Sequence, residues 1–138
     1  RSAREAVHRA VRGFHRILKP GGLVVLHLLN YRGLRARNKR ASNPTLLDEG
    51  GLLVKVFDLE PESTRVNFLR LFEKEPGVWR TEHRAAPLLP LSREEMEEIL
   101  ALEGFGDVRV FGDASGRPYE PDDSYDLFMA ATKGAGKG

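Results

Sequence analysis

Leu18-Lys19-Pro20-Gly21-Gly22 runs directly into Leu23-Val24-Val25-Leu26-His27-Leu28-Leu29 and then Asn30-Tyr31, and the fold is read from this stretch. Pro20 cannot continue a helix, and the two glycines tolerate the positive φ of a tight turn. The seven residues that follow are apolar except His27, and they are apolar on both faces. Such a run predicts an interior strand of a parallel sheet covered by helices on both sides. Upstream, Ala3, Ala6, Val7, Ala10, Val11, Phe14, Ile17 and Leu18 recur at helical spacing, with Arg4, Arg9, Arg12 and Arg16 mostly opposite. Ser2 offers an N-cap for that helix. Helix, Pro-Gly-Gly turn and buried strand together predict an αβ unit of a doubly wound sheet.

Downstream, residues 30–51 read as polar and irregular. Leu52–Glu60, Thr64–Glu73 and Val78–Arg84 are short runs rich in Val, Leu and Phe, separated by Pro61-Glu62-Ser63 and Glu75-Pro76-Gly77. They predict an antiparallel meander. On its middle strand Val66, Phe68, Arg70 and Phe72 share one face, and Asn67, Leu69 and Leu71 the other. Ser92-Arg93-Glu94-Glu95 is a capping box. It opens a helix carrying Met96, Ile99 and Leu100, and Gly104 closes it. Asp107–Phe111 and Tyr125–Thr132 read as strands, joined by a loop over 112–123, and 134–138 as a frayed tail.

In this order, LKPGG at 18–22, Asn30 at the strand end, EGFGDVRVFGD at 103–113 and SYDLFMAATK at 124–133 resemble the C-terminal half of a class I S-adenosylmethionine-dependent methyltransferase. The resemblance implies a partial Rossmann-like α/β fold contributing strands 5, 7 and 6 of the family's sheet, in the order 5-7-6 with the last strand antiparallel. Residues 1–138 would then be one incomplete domain, with 45–90 a lid-like antiparallel insertion. It implies methyl transfer from S-adenosylmethionine to a small-molecule acceptor. The family's glycine-rich loop after its first strand, the acidic residue ending its second and its strand 4 motif have no counterpart in this sequence. No cofactor-binding residue is therefore assigned, and weak or undetectable cofactor binding is expected of this chain. With strand 4 missing, the apolar edge of 23–29 would pair with a copy of the chain or with its missing half.

Composition narrows the alternatives. The chain has 138 residues, no cysteine and 30% charged residues. The absence of cysteine excludes disulfide scaffolds, thiolate metal sites and a cysteine nucleophile. No apolar run approaches the ~18 residues of a membrane span, and a cytoplasmic location is expected. Residues 1–40 carry 11 Lys and Arg against the single acid Glu5. A nucleic-acid-binding or non-catalytic interaction module using that basic segment, with Arg32, Arg35, Arg37, Lys39 and Arg40, is the alternative reading. It is not favoured, because no aromatic residues interleave with the cations as stacking platforms.

Ligands of open α/β sheets sit beyond the carboxyl ends of the strands, which makes Asn30 and Tyr31 substrate-binding candidates. His83 and Arg84 close the meander, where a lid-borne Arg can clamp a carboxylate or phosphate. Arg70 is a further candidate; with Phe68 and Phe72 beside it, it can instead lay its stem over the rings. His27, inside the strand, reads as a core histidine. His8 and His15 share a helix face with no third ligand, so no metal site is assigned. No catalytic base is identified.

Overall fold

The computed structural model describes residues 3–134. The Ser2 cap and residues 135–138 of the tail lie outside that range. In chain order the elements are α1 (Ala3–Ile17), β1 (Leu23–Leu29), α2 (Tyr31–Ala36), β2 (Thr45–Leu46), β3 (Leu52–Asp58), β4 (Arg65–Glu75), β5 (Val78–Pro87), α3 (Arg93–Leu102), β6 (Phe105–Phe111) and β7 (Asp126–Lys133). They divide into two compact units. One holds the residues up to Ala36 and those from Leu91 onward; the other spans 37–90.

The first unit is built on a three-stranded sheet in the order β1-β7-β6, with β7 antiparallel to both neighbours. Leu127, Met129 and Ala131 of β7 alternate into the core, where Val11, Met96, Ile99, Leu100 and Phe105 are also buried. Full burial of one such aliphatic side chain contributes about 1.5–3 kcal/mol. The capping box of α3 is present: Ser92 Oγ accepts from the Glu95 amide at 3.1 Å, and Glu95 Oε1 accepts from the Ser92 amide at 3.2 Å. Gly104 ends α3 at φ +93°, where a β-carbon would also lie 2.7 Å from His15 Nε2. Glycine therefore suits this stop both conformationally and sterically.

β1 departs from expectation. Leu23 and Val25 are 58% and 60% exposed, so one face of the strand is open in this chain. His27 lies on that face, stacked on Phe128 with ring centroids 4.2 Å apart and bonded through Nε2 to Asp126 at 2.8 Å. It is not a core histidine. β1 also lies at the end of its sheet. Its register with β7 continues at Asn30, whose N–H donates to Tyr125 O. Antiparallel ladders alternate, so the odd-numbered residues Leu23, Val25, His27 and Leu29 direct their backbone groups away from β7.

α1 and α3 are tied by ions. Arg4 pairs with Glu95 and Glu98, and Arg12 grips Glu103 with both Nε and Nη2 at 3.0 Å. His8 Nδ1 is 3.1 Å from the same carboxylate. Arg12 foremost, and then His8, hold the Glu103 carboxyl below its ordinary value of 4.5. A depressed carboxyl stabilises the fold above its unfolded pKa, and that contribution is lost as pH falls through the folded value. Acid unfolding monitored by circular dichroism should therefore steepen below about pH 4.5, and Glu103→Gln should flatten that limb. An unchanged acid limb in the variant would contradict the assignment.

The second unit is a four-stranded antiparallel sheet in the order β2-β3-β4-β5. Residues 30–51 are more structured than expected, since they contain α2 and β2. β4 and β5 both extend past the predicted ends, and their register shifts between Glu73 and Glu75 beside the hairpin turn.

Candidate functional site

At the carboxyl end of β1, Asn30 is 3% exposed and Tyr31 8% exposed. The Asn30 amide donates to Pro121 O at 2.9 Å and Ser124 O at 2.7 Å, and its carbonyl accepts from Tyr119 Oη at 2.8 Å. The loop over 112–125 is thereby knotted to the strand end. Ser124 Oγ accepts from the Glu120 amide, and Arg32 Nε reaches Asp122 at 2.7 Å. The Arg93 guanidinium lies 5.8 Å from the Tyr119 ring centre. Burial pushes both the Tyr31 and Tyr119 phenols above their usual range, so both stay neutral. Both amide protons of Asn30 are used. The strand-end position marked Asn30 and Tyr31 as substrate-binding candidates; in this chain both are buried, and the polar groups of the Asn30 side chain are occupied by the 112–125 loop.

The candidates on the meander separate by strand parity. Arg70 and Arg84 share a face with Phe68 and Phe72, since Phe68 pairs with Arg84 and Arg70 with Glu82. Arg70 is already engaged, by Glu49 and Glu82 at 3.2 Å each and by the Phe72 ring at 4.9 Å. Its guanidinium, rather than its stem, is what lies against the Phe72 ring. Arg84 is exposed and opposite Phe68. His83, one residue earlier, points to the other face, so the two cannot clamp one group from the same side.

On that other face Asp58, Asn67 and His83 form a connected series that sequence reading missed. His83 Nε2 lies 2.9 Å from Asn67 Oδ1, and Asn67 Nδ2 lies 3.1 Å from Val56 O and 3.2 Å from Asp58 Oδ2. Leu69 stands directly opposite His83 and pairs on its other side with Val54. The signal in the sequence was a polar Asn between Val66 and Phe68, but its partner depends on register.

Two hollows flank β1. One, of about 500 Å³, lies on the open face over Leu23, Val25, Phe128 and Ala130, with Asp113–Gly116 along its rim. The other, of about 380 Å³, runs between α1 and β1, lined by Ala10, Phe14, Leu26, Leu28 and Met96. Both are mainly apolar at their strand walls. Among the described residues no group of His, Asp or Glu could hold a metal ion, and no helix is long and apolar enough to cross a membrane.

The first unit has a methyltransferase-like α/β fold, and the likeness is to S-adenosylmethionine-dependent methyltransferases of known structure. An S-adenosylmethionine-dependent methyltransferase from Clostridium acetobutylicum superposes with a TM-score of 0.72 at 11% identity, covering 96% of this chain and 52% of that one. The CcbJ methyltransferase of Streptomyces caelestis gives 0.66 at 17% identity, over 96% and 51%. CalS10 of Micromonospora echinaspora, an amino pentose methyltransferase solved with S-adenosylmethionine bound, gives 0.63 at 19% identity, over 96% and 52%. The chain thus spans about half the length of these structures. No family model matches the sequence, and no curated protein does.

Proposed function

We propose that this chain is the C-terminal portion of an enzyme that transfers a methyl group from S-adenosylmethionine to a small-molecule acceptor. The observation that carries the reading is the superposition of 96% of the chain on half of several such enzymes. Its three sheet strands then stand for strands 5, 7 and 6 of the family, and residues 45–90 for an inserted lid within one incomplete domain. The acceptor class is an amine or hydroxyl on a sugar-like body, by analogy with the amino pentose methyltransferase.

The residues present do not fit the cofactor. No buried side-chain polar atom among those described lacks a partner, and the Asn30 side chain at the end of β1 is spent on the 112–125 loop. No step is therefore routed through the methyl donor here. The rest of such an enzyme would bind it, in the cytoplasm, and would supply the strand that pairs with the free edge of β1. Alone, the chain meets only copies of itself at that edge.

The basic segment argues against the nucleic-acid alternative. Arg4, Arg12 and Arg32 are each paired with acids inside the first unit. The test is methyl incorporation from labelled S-adenosylmethionine into aminopentosides, by this chain continued upstream through its coding sequence. Labelled product supports the proposal. No product, together with nucleic-acid binding that weakens steeply with salt, would replace it with the alternative.

A further inference from the structure

The meander ends in a strand with one side unpaired. β5 closes the order β2-β3-β4-β5, and its residues 78–85 are exposed. The register of β3 with β4 ends at Leu71, so the hairpin beyond it is a two-stranded ribbon, a form only marginally stable in water. That ribbon carries Val78 and Trp79, 50% and 53% exposed. One bond fixes which way the backbone of β5 faces. The Leu88 amide donates to Thr64 O at 2.9 Å, in continuation of the β4–β5 register. Antiparallel ladders alternate, so the even-numbered residues of β5 bond to β4. Trp79, Thr81, His83 and Ala85 direct their N–H and C=O groups outward. Such an edge is a template for a further strand.

The side chains decide which strand fits. Charges along an edge bar pairing when like faces like. Here they alternate along one face as Arg80, Glu82 and Arg84, which makes the strand complementary to an antiparallel copy of itself in selected registers. With Glu82 opposite Glu82 of a second copy, Arg80 would face Arg84, and every charged pair would repel. With His83 opposite its equivalent the charges match, but Trp79 would meet Pro87, which has no N–H to give. With Thr81 opposite its equivalent, Arg80 faces Glu82 on both sides of the two-fold axis and Trp79 faces His83. Pro87 then lies outside the paired segment. Glu82 is bonded to Arg70 at 3.2 Å and still has 57% of its side chain exposed, so its open side can take a second cation.

We infer that two copies of this chain pair along β5, antiparallel and with Thr81 opposite Thr81, joining their four-stranded sheets into one. The facing pairs Thr81–Thr81 and Trp79–His83 exchange the main-chain bonds. The Arg80–Glu82 pairs set the register, and the rings of Trp79 and His83 gain a cross-strand partner. This edge is separate from that of β1, and the pairing does not rest on the methyl-transfer reading.

The chain has no cysteine, so a single introduced thiol reads the register. Residues in a bonded antiparallel pair lie about 5.5 Å apart at Cα, within the reach of a disulfide. In the inferred register the two copies of His83 are about 14 Å apart and those of Ala85 about 27 Å. Under mild oxidation Thr81→Cys should form a disulfide dimer at least about tenfold faster than His83→Cys or Ala85→Cys. Fastest cross-linking at His83→Cys would overturn the register. No dimer from Thr81→Cys, or equal rates at all three sites, would overturn the pairing. A second measurement uses Trp79, the single tryptophan, whose emission should shift to the red as the protein is diluted. Glu82→Arg should weaken association about tenfold, since both charge pairs become repulsive. That variant also loses its contact with Arg70, so the control is the double variant Arg80→Glu/Glu82→Arg, which reverses both pairs and should restore association. Failure of the double variant to recover, or an emission independent of concentration in the wild type, would overturn the inference.

Discussion

Asn30→Ala should destabilise the first unit by about 3–4 kcal/mol, a large loss for a single residue. The substitution removes an amide that satisfies Pro121 O, Ser124 O and Tyr119 Oη at once. Each polar group left unpaired in a buried place costs about 1–3 kcal/mol, and the loop can recover part of this by admitting water. Asn30→Asp should be at least as damaging at neutral pH, because a carboxylate would face two carbonyl oxygens. Its folded pKa would be raised, so this variant should regain stability as pH falls through that value toward about 3.9. Urea denaturation at two pH values measures both effects. A loss below about 1 kcal/mol for either variant at neutral pH would show that the knot does not hold the loop.

Gly33→Ala strikes the same knot from the other side. A β-carbon on Gly33 would lie 2.5 Å from Asn30 Nδ2 and 2.8 Å from Ser124 O. Neither neighbour can give way easily: one is pinned by two hydrogen bonds, and the other is backbone. Overpacking of this kind costs about 1–3 kcal/mol, and the intrinsic helix preference for alanine offsets less than about 1 kcal/mol of it. The two sites share partners, so their effects should not add. With Asn30 already alanine, the penalty at Gly33 should shrink. Equal costs in both backgrounds would separate Gly33 from the amide.

These two residues also show where sequence reading stops. LKPGG and the capping box at 92–95 give their structure away because turn and cap chemistry is local, and both are found as read. The apolar run at 23–29 marks a strand equally well. It does not reveal that Leu23 and Val25 lack a cover in this chain, because a run apolar on both faces states only what the strand can bury. Asn30 stands at the strand end in either reading. Whether it meets a ligand or a loop depends on residues about 90 positions away. The short α2 escapes because six residues with a central glycine carry little helical pattern. The Asn67–His83 contact is hidden for a related reason: it needs the exact pairing of β4 with β5. Parity alone, by contrast, already places His83 and Arg84 on opposite faces of the sheet.

The charge distribution reads differently once the fold is known. The excess of cations before residue 41 suggested a binding surface. Three of those cations, Arg4, Arg12 and Arg32, instead pair with acids that come later in the chain, on α3, at its C-terminal cap and on the 112–125 loop.

The central claim is that this chain carries one half of a methyltransferase fold without the half that binds the methyl donor. Calorimetric titration with S-adenosylmethionine tests it most directly, on the chain and on the same chain continued upstream through its coding sequence. The account predicts weak or no binding by the chain and binding in the micromolar range by the longer polypeptide. Micromolar binding by the chain itself, or none by the longer polypeptide, would contradict it.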